Sequence, residues 1–194
     1  MKQLYSLSNK INKKDVDLDE ICAIVECDTY SPKYMHRMFH GKPKVTACDI
    51  LVEKKIDIDS RLFAMLSLNF LSDFMIMETV AGFAEQILDT LDLNKELKTL
   101  AEEGISKFHK IAKGENVNME DLYTKIRKTY EELGRCKQAV IFEILLKPFI
   151  VELKQVPLCA AGCARSVFAD NEEERLKLVQ KQVNYLIELL QNNI

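Results

Sequence analysis

Tryptophan is absent from the 194 residues, and only 6 glycines and 4 prolines are present. So few turn formers leave little room for the frequent reversals of a sandwich or barrel, and they disfavour a Gly-rich phosphate loop. No apolar run approaches the ~18–20 residues of a membrane span. The longest, residues 74–77 and 139–146, are interrupted by Glu78 and Glu143. A dominant charge sign is missing as well. The 27 Lys and Arg stand against 30 Asp and Glu, for a net charge of -3. That disfavours a wholly basic nucleic-acid binder and leaves a local basic patch open. Catalytic signatures are scarce: there are 3 histidines, no G-x-S-x-G, no P-loop and no G-x-G-x-x-G. Met1-Lys2-Gln3 leads into a polar stretch ending in Lys13-Lys14, which does not read as an export signal. The 6 cysteines are therefore expected to be reduced thiols in a cytoplasm.

What remains is the balance of a globular chain, 47% apolar and 29% charged, with helical periodicity nearly throughout. Leu18, Ile21, Cys22 and Val25 recur at three and four residues. Ser31-Pro32 is an N-cap followed by proline at the first helical position, and that helix should stop at Gly41. Thr46 with Asp49 predicts a capped helix carrying Ile50 and Leu51. Asp59 or Ser60 starts the next, with Leu62, Phe63, Leu66 and Phe70 facing inward. Ser72-Asp73 punctuates, and an apolar helix runs from about Phe74 to Leu91. Asn94 caps a helix to about Ala112, followed by a turn at Gly114. Asn118 precedes another helix that ends at Gly134. A long apolar helix is expected from about Arg135 to Leu153, kinked at Pro148. Pro157 opens a segment rich in Ala and Cys. The last helix follows Asp170-Asn171, with Glu172, Glu173 and Glu174 favoured at its positive end. Val45 to Cys48 and Lys55 to Ile58 are too short to argue for strands. The expectation is an all-α fold, an irregular bundle of about nine to ten helices. Residues 1–45 form a small N-terminal unit and residues 46–194 the body.

Four groups of residues could carry chemistry. Cys22, Cys27, His36 and His40 are spaced C-x4-C-x8-H-x3-H, and two histidines four apart share a helix face. The short middle spacer and wide cysteine pair fit zinc poorly, so Cys22 reads better as a small buried hydrophobe and no metal is favoured. Residues 30–47 hold Lys33, Arg37, Lys42 and Lys44 with no acidic residue, the one basic patch and the candidate partner-binding surface. With Asp19 to Val25 ahead of it, this stretch resembles a helix-turn-helix whose recognition helix opens at Ser31. Thr29 stands where the turn glycine belongs, and Val25 replaces the usual small residue. Cys159-x3-Cys163 lies with Ala160, Gly162 and Ala164 on a small-residue face, read as tight packing rather than a redox pair. Glu78 and Glu85 lie seven apart on one face, and Glu143 interrupts a second apolar helix. A di-iron site would need Glu-x-x-His, and the residue three before His109 is Ser106.

From residue 46 onward the order of features resembles a family of helical immunity proteins found beside bacterial toxins and in phage-like regions. Thr46-Ala47-Cys48-Asp49-Ile50-Leu51 is similar to that family's opening helix, and Arg61-Leu62-Phe63-Ala64-Met65-Leu66 to its arginine-leucine-aromatic start. Val80-Ala81-Gly82-Phe83-Ala84-Glu85 is similar to its Ala-rich helix ending in Ala-Glu. Ala112-Lys113-Gly114-Glu115 follows at a matching distance, and Glu174-Arg175 with Gln180 and Gln182 resemble its terminal helix. The resemblance implies a non-catalytic protein that binds and neutralises a protein partner, a toxin or a defence or host factor, without a cofactor. Two other readings stay open: a helix-turn-helix DNA-binding regulator with a helical sensor or dimerisation body, and a small metal-dependent enzyme.

Overall fold

In the computed structural model, residues 7–8, 10, 13–24 and 37–192 are described. The fold is all-α and 70% helical, with nine α-helices among the described residues. They are α1 (Leu18–Ile24), α2 (Ala47–Val52), α3 (Ile58–Ser67), α4 (Asp73–Leu88), α5 (Lys95–Ala112), α6 (Glu120–Leu133), α7 (Ala139–Ile150), α8 (Val156–Ser166) and α9 (Glu172–Gln191). No helix among these residues is long and apolar enough to cross a membrane. The chain divides into two compact units. One holds residues 1–10 and 72–178, the other residues 11–71 and 179–194, so the division falls inside α9.

The unit holding residues 11–71 carries a feature that the short apolar runs did not predict. Strands β1 (Val16–Asp17) and β2 (Lys44–Val45) pair antiparallel, Val16 opposite Val45 and Asp17 opposite Lys44. Both valines are buried, so a long-range pairing fixes two residues that no local alternation announces. His40 and Gly41 have φ of 53° and 71°, the left-handed turn expected at Gly41. The Thr46 side chain accepts from the Asp49 N–H at 3.2 Å, and Asp49 Oδ2 accepts from the Thr46 N–H at 2.9 Å, completing the capping box of α2. Helix α3 starts earlier than expected because Asp57, not Asp59 or Ser60, accepts from the Ser60 N–H at 2.8 Å. Leu62 and Leu66 face inward, but Phe63 is 42% exposed, a correction to the expected stripe. The Arg61 guanidinium donates from Nη1 to the Leu51 carbonyl at 2.8 Å, tying α3 to the end of α2.

In the unit holding residues 72–178, α4 is the central element. Met75, Ile76, Met77, Val80, Phe83 and Ile87 are all buried, as befits a helix apolar nearly all round. Each such side chain taken from water contributes roughly 1.5–3 kcal/mol. Helix α4 packs against α5, α7 and α8, and α6 packs on α7. Ser72 and Asn94 cap α4 and α5 through the Met75 and Leu97 N–H groups, as their positions predict. Helix α4 begins at Asp73, one residue before the expected start, and stops at Leu88 rather than Leu91. Gly104 lets α5 come close to its neighbours. A Cβ there would lie 2.8 Å from Leu145 Cδ1 on α7 and 3.3 Å from Ile126 Cδ1 on α6. Helix α7 begins at Ala139, four residues later than predicted, because residues 135–138 are spent in turns closed by Ala139 N–H to Cys136 and Val140 N–H to Lys137. It stops at Ile150, two residues past Pro148, whose missing N–H weakens the last turn.

Candidate functional site

Two antiparallel neighbours, α4 and α5, form the walls of an open groove of about 620 Å³. It is lined by Glu78, Glu85 and Leu88 from α4 and by Glu102, Ile105 and His109 from α5. Lys110, Lys113 and Glu115 close the end nearer Glu78. Glu78 and Glu85 share one face of α4 because seven residues make two helical turns. His109 reaches between them. Its Nδ1 lies 2.8 Å from Glu78 Oε2 and its Nε2 lies 3.0 Å from Glu85 Oε1. The Glu78 hydrogen bond, helped by Glu85 and opposed by partial burial, holds the imidazole pKa up at about 9. At neutral pH both ring nitrogens are therefore donors and the ring is a fixed cation. It lacks the free lone pair of a general base.

No Glu-x-x-His spacing announces this constellation, because the carboxylates come from a different helix, 31 and 24 residues away from His109. The signal that could have found it was the pair of carboxylates seven apart on an otherwise apolar helix. Such carboxylates call for a cation from a neighbouring helix.

A second cluster joins α7 to α8. Lys147 donates to Glu143 Oε1 at 2.7 Å, and both charges act on the Cys163 thiol of α8. Desolvation pushes the Cys163 pKa up to about 12. It is a protonated, poorly nucleophilic thiol. The small face of α8 is made by buried Ala160, Ala161 and Ala164. Cys159 and Cys163 are only half-buried beside it and Gly162 is exposed, which corrects the expected packing role of those three residues.

Of the basic patch, Arg37, Lys42 and Lys44 are described and exposed, whereas Lys33 lies outside the described residues. Lys42 pairs with Asp49 at 3.0 Å and Lys44 with Asp15 at 3.2 Å. The stretch of residues 30–47 is free of acids in sequence. Asp15 reaches Lys44 from outside it, and the α2 cap residue Asp49 takes Lys42. Of the zinc candidates, Cys22 is half-buried with its pKa raised by desolvation and Asp19, and His40 is exposed. Cys27 and His36 lie outside the described residues, as do Val25, Thr29 and Ser31 of the helix-turn-helix reading. Among the described residues no three His, Cys, Asp or Glu side chains are grouped to hold a metal ion. Against these geometries stands the comparison with known proteins: no protein family, no characterised protein and no solved structure matches the chain.

Proposed function

We propose that this chain is a non-catalytic binding protein that holds a protein partner, taking a lysine- or arginine-bearing segment of it in the groove between α4 and α5. The observation that carries this reading is the grouping of three carboxylates, Glu78, Glu85 and Glu102, in the lining of one groove together with the apolar Leu88 and Ile105. A long cationic side chain is apolar along its stem and charged at its head, and this surface matches both parts. Chemistry is the weaker use of the same residues. His109 is committed to two carboxylates, and burial holds Cys163, Cys22 and Cys48 in the thiol form. The neutralising role implied by the resemblance to immunity proteins fits a partner held in this way. DNA binding is less favoured because Lys42 and Lys44 are already paired with carboxylates.

Anisotropy titrations with a labelled arginine-rich peptide and a labelled short duplex DNA test the reading. The peptide should bind, and Glu102→Gln should loosen it severalfold while Glu132→Gln, on exposed α6, leaves it unchanged. Tight, sequence-selective DNA binding with no peptide binding would reject the reading in favour of the regulator.

A further inference from the structure

The groove already contains a cation of its own. Both nitrogens of His109 are spent on carboxylates of α4, and one of those carboxylates, Glu85, belongs to the end of the groove that also carries Glu102. The two contacts are unequal. Glu78 is 27% exposed and lies at 2.8 Å, whereas Glu85 is 50% exposed and lies at 3.0 Å. The wetter, longer contact is the easier to exchange, because water screens it and helps to replace it.

We propose that His109 is a built-in competitor for the groove: a partner's guanidinium or ammonium enters by displacing the imidazole from Glu85, while the bond to Glu78 keeps His109 anchored. This rests on the proposed binding function and adds its regulation. A guanidinium is suited to the exchange. Its planar fork can engage a carboxylate through two parallel N–H donors, where His109 offers Glu85 a single one. The groups facing His109 set the balance. Glu78 and Glu85 come from α4, while α5 and its end supply Glu102, Lys110, Lys113 and Glu115. Lys113 and Glu115 flank Gly114, where an added Cβ would lie 3.9 Å from Phe74 Cζ, one helical turn before Glu78, so Lys113 stands toward the Glu78 end and away from Glu85 and Glu102. The incoming charge is therefore drawn to the contact that can open.

Competition for one carboxylate is reciprocal: whatever His109 takes from the partner's affinity, the partner takes from the stability of the protonated ring. The direct test needs no variant. NMR titration of the His109 ring, with and without saturating arginine-rich peptide, should show its pKa falling by about one unit when the peptide is bound. A second arm uses His109→Gln, which keeps size and hydrogen bonding but removes the charge. It should bind the peptide about 10-fold more tightly than the unaltered protein, the factor that reciprocity assigns to a pKa change of about one unit. If the peptide binds but the His109 pKa does not move, or the variant binds no more tightly, the competitor role is rejected and the binding function stands. If neither protein binds the peptide, both fall. Binding by the variant alone supports strong competition.

Discussion

Nδ1 of His109 lies 2.8 Å from Oε2 of Glu78, closing 31 residues of chain and tying α5 to α4. The contact makes stability depend on pH in a definite direction. The folded pKa of about 9 stands above the ordinary 6.5. The group's contribution is therefore complete below about pH 6.5 and is lost as pH rises through about 9. Because the ring is a quarter exposed and Glu85 half exposed, the contribution should be about 1–2 kcal/mol rather than the full linkage value. Urea unfolding at neutral and at strongly alkaline pH should show His109→Gln less stable by that amount at pH 7, with the difference vanishing at high pH. A difference that persists unchanged would show that the charge is not responsible.

Cys163 should resist alkylation. Desolvation keeps it protonated, so iodoacetamide at neutral pH should leave it unmodified in the folded protein and label it only after denaturation. Peptide mapping reads the outcome, and rapid native labelling at Cys163 would contradict the geometry of the α7–α8 cluster.

Gln182 on α9 is fully buried, and neither of its amide atoms has a hydrogen-bond partner among the described residues. A buried amide left unpaired costs roughly 1–3 kcal/mol. Gln182→Met, close in volume and without polar atoms to satisfy, should raise the unfolding free energy by about 1–2 kcal/mol. A loss of stability of similar size would mean that the amide is paired in solution.

The basic stretch should fail as a DNA reader. Lys42 and Lys44 would have to release Asp49 and Asp15 before meeting phosphate. No measurable affinity is expected at physiological salt, and Lys33→Glu with Arg37→Glu should change neither that result nor the fold. Sub-micromolar binding that the double variant abolishes would reverse the conclusion.

The features legible in the sequence were the local ones. Thr46 with Asp49, Ser72, Asn94, Asn171 and the turns at Gly114 and Gly134 are decided within a few residues, and the helices begin or end where they point. The late start of α7 comes from local turns over residues 135–138 that periodicity does not register, whereas the Val16–Val45 pairing and the exposure of Phe63 were decided at a distance, by neighbours that periodicity does not name. The same holds for the site. Glu78, Glu85 and His109 are each conspicuous in the sequence, but a helix-to-helix cation bridge has no fixed spacing that would join them. The ion-pair partners of Lys42 and Lys44, Asp49 on the α2 cap and Asp15 ahead of β1, lie outside residues 30–47, so the composition of that stretch does not announce them.

The most direct test of the account is to map where a cationic polypeptide touches the folded chain. Backbone amide NMR shifts should be followed during titration with the arginine-rich peptide at physiological salt. The account predicts saturable changes centred on Glu85, Glu102, Ser106 and His109, weakened together by Glu102→Gln. Changes centred instead on residues 37–44, or scattered without saturation over every exposed carboxylate, would contradict it.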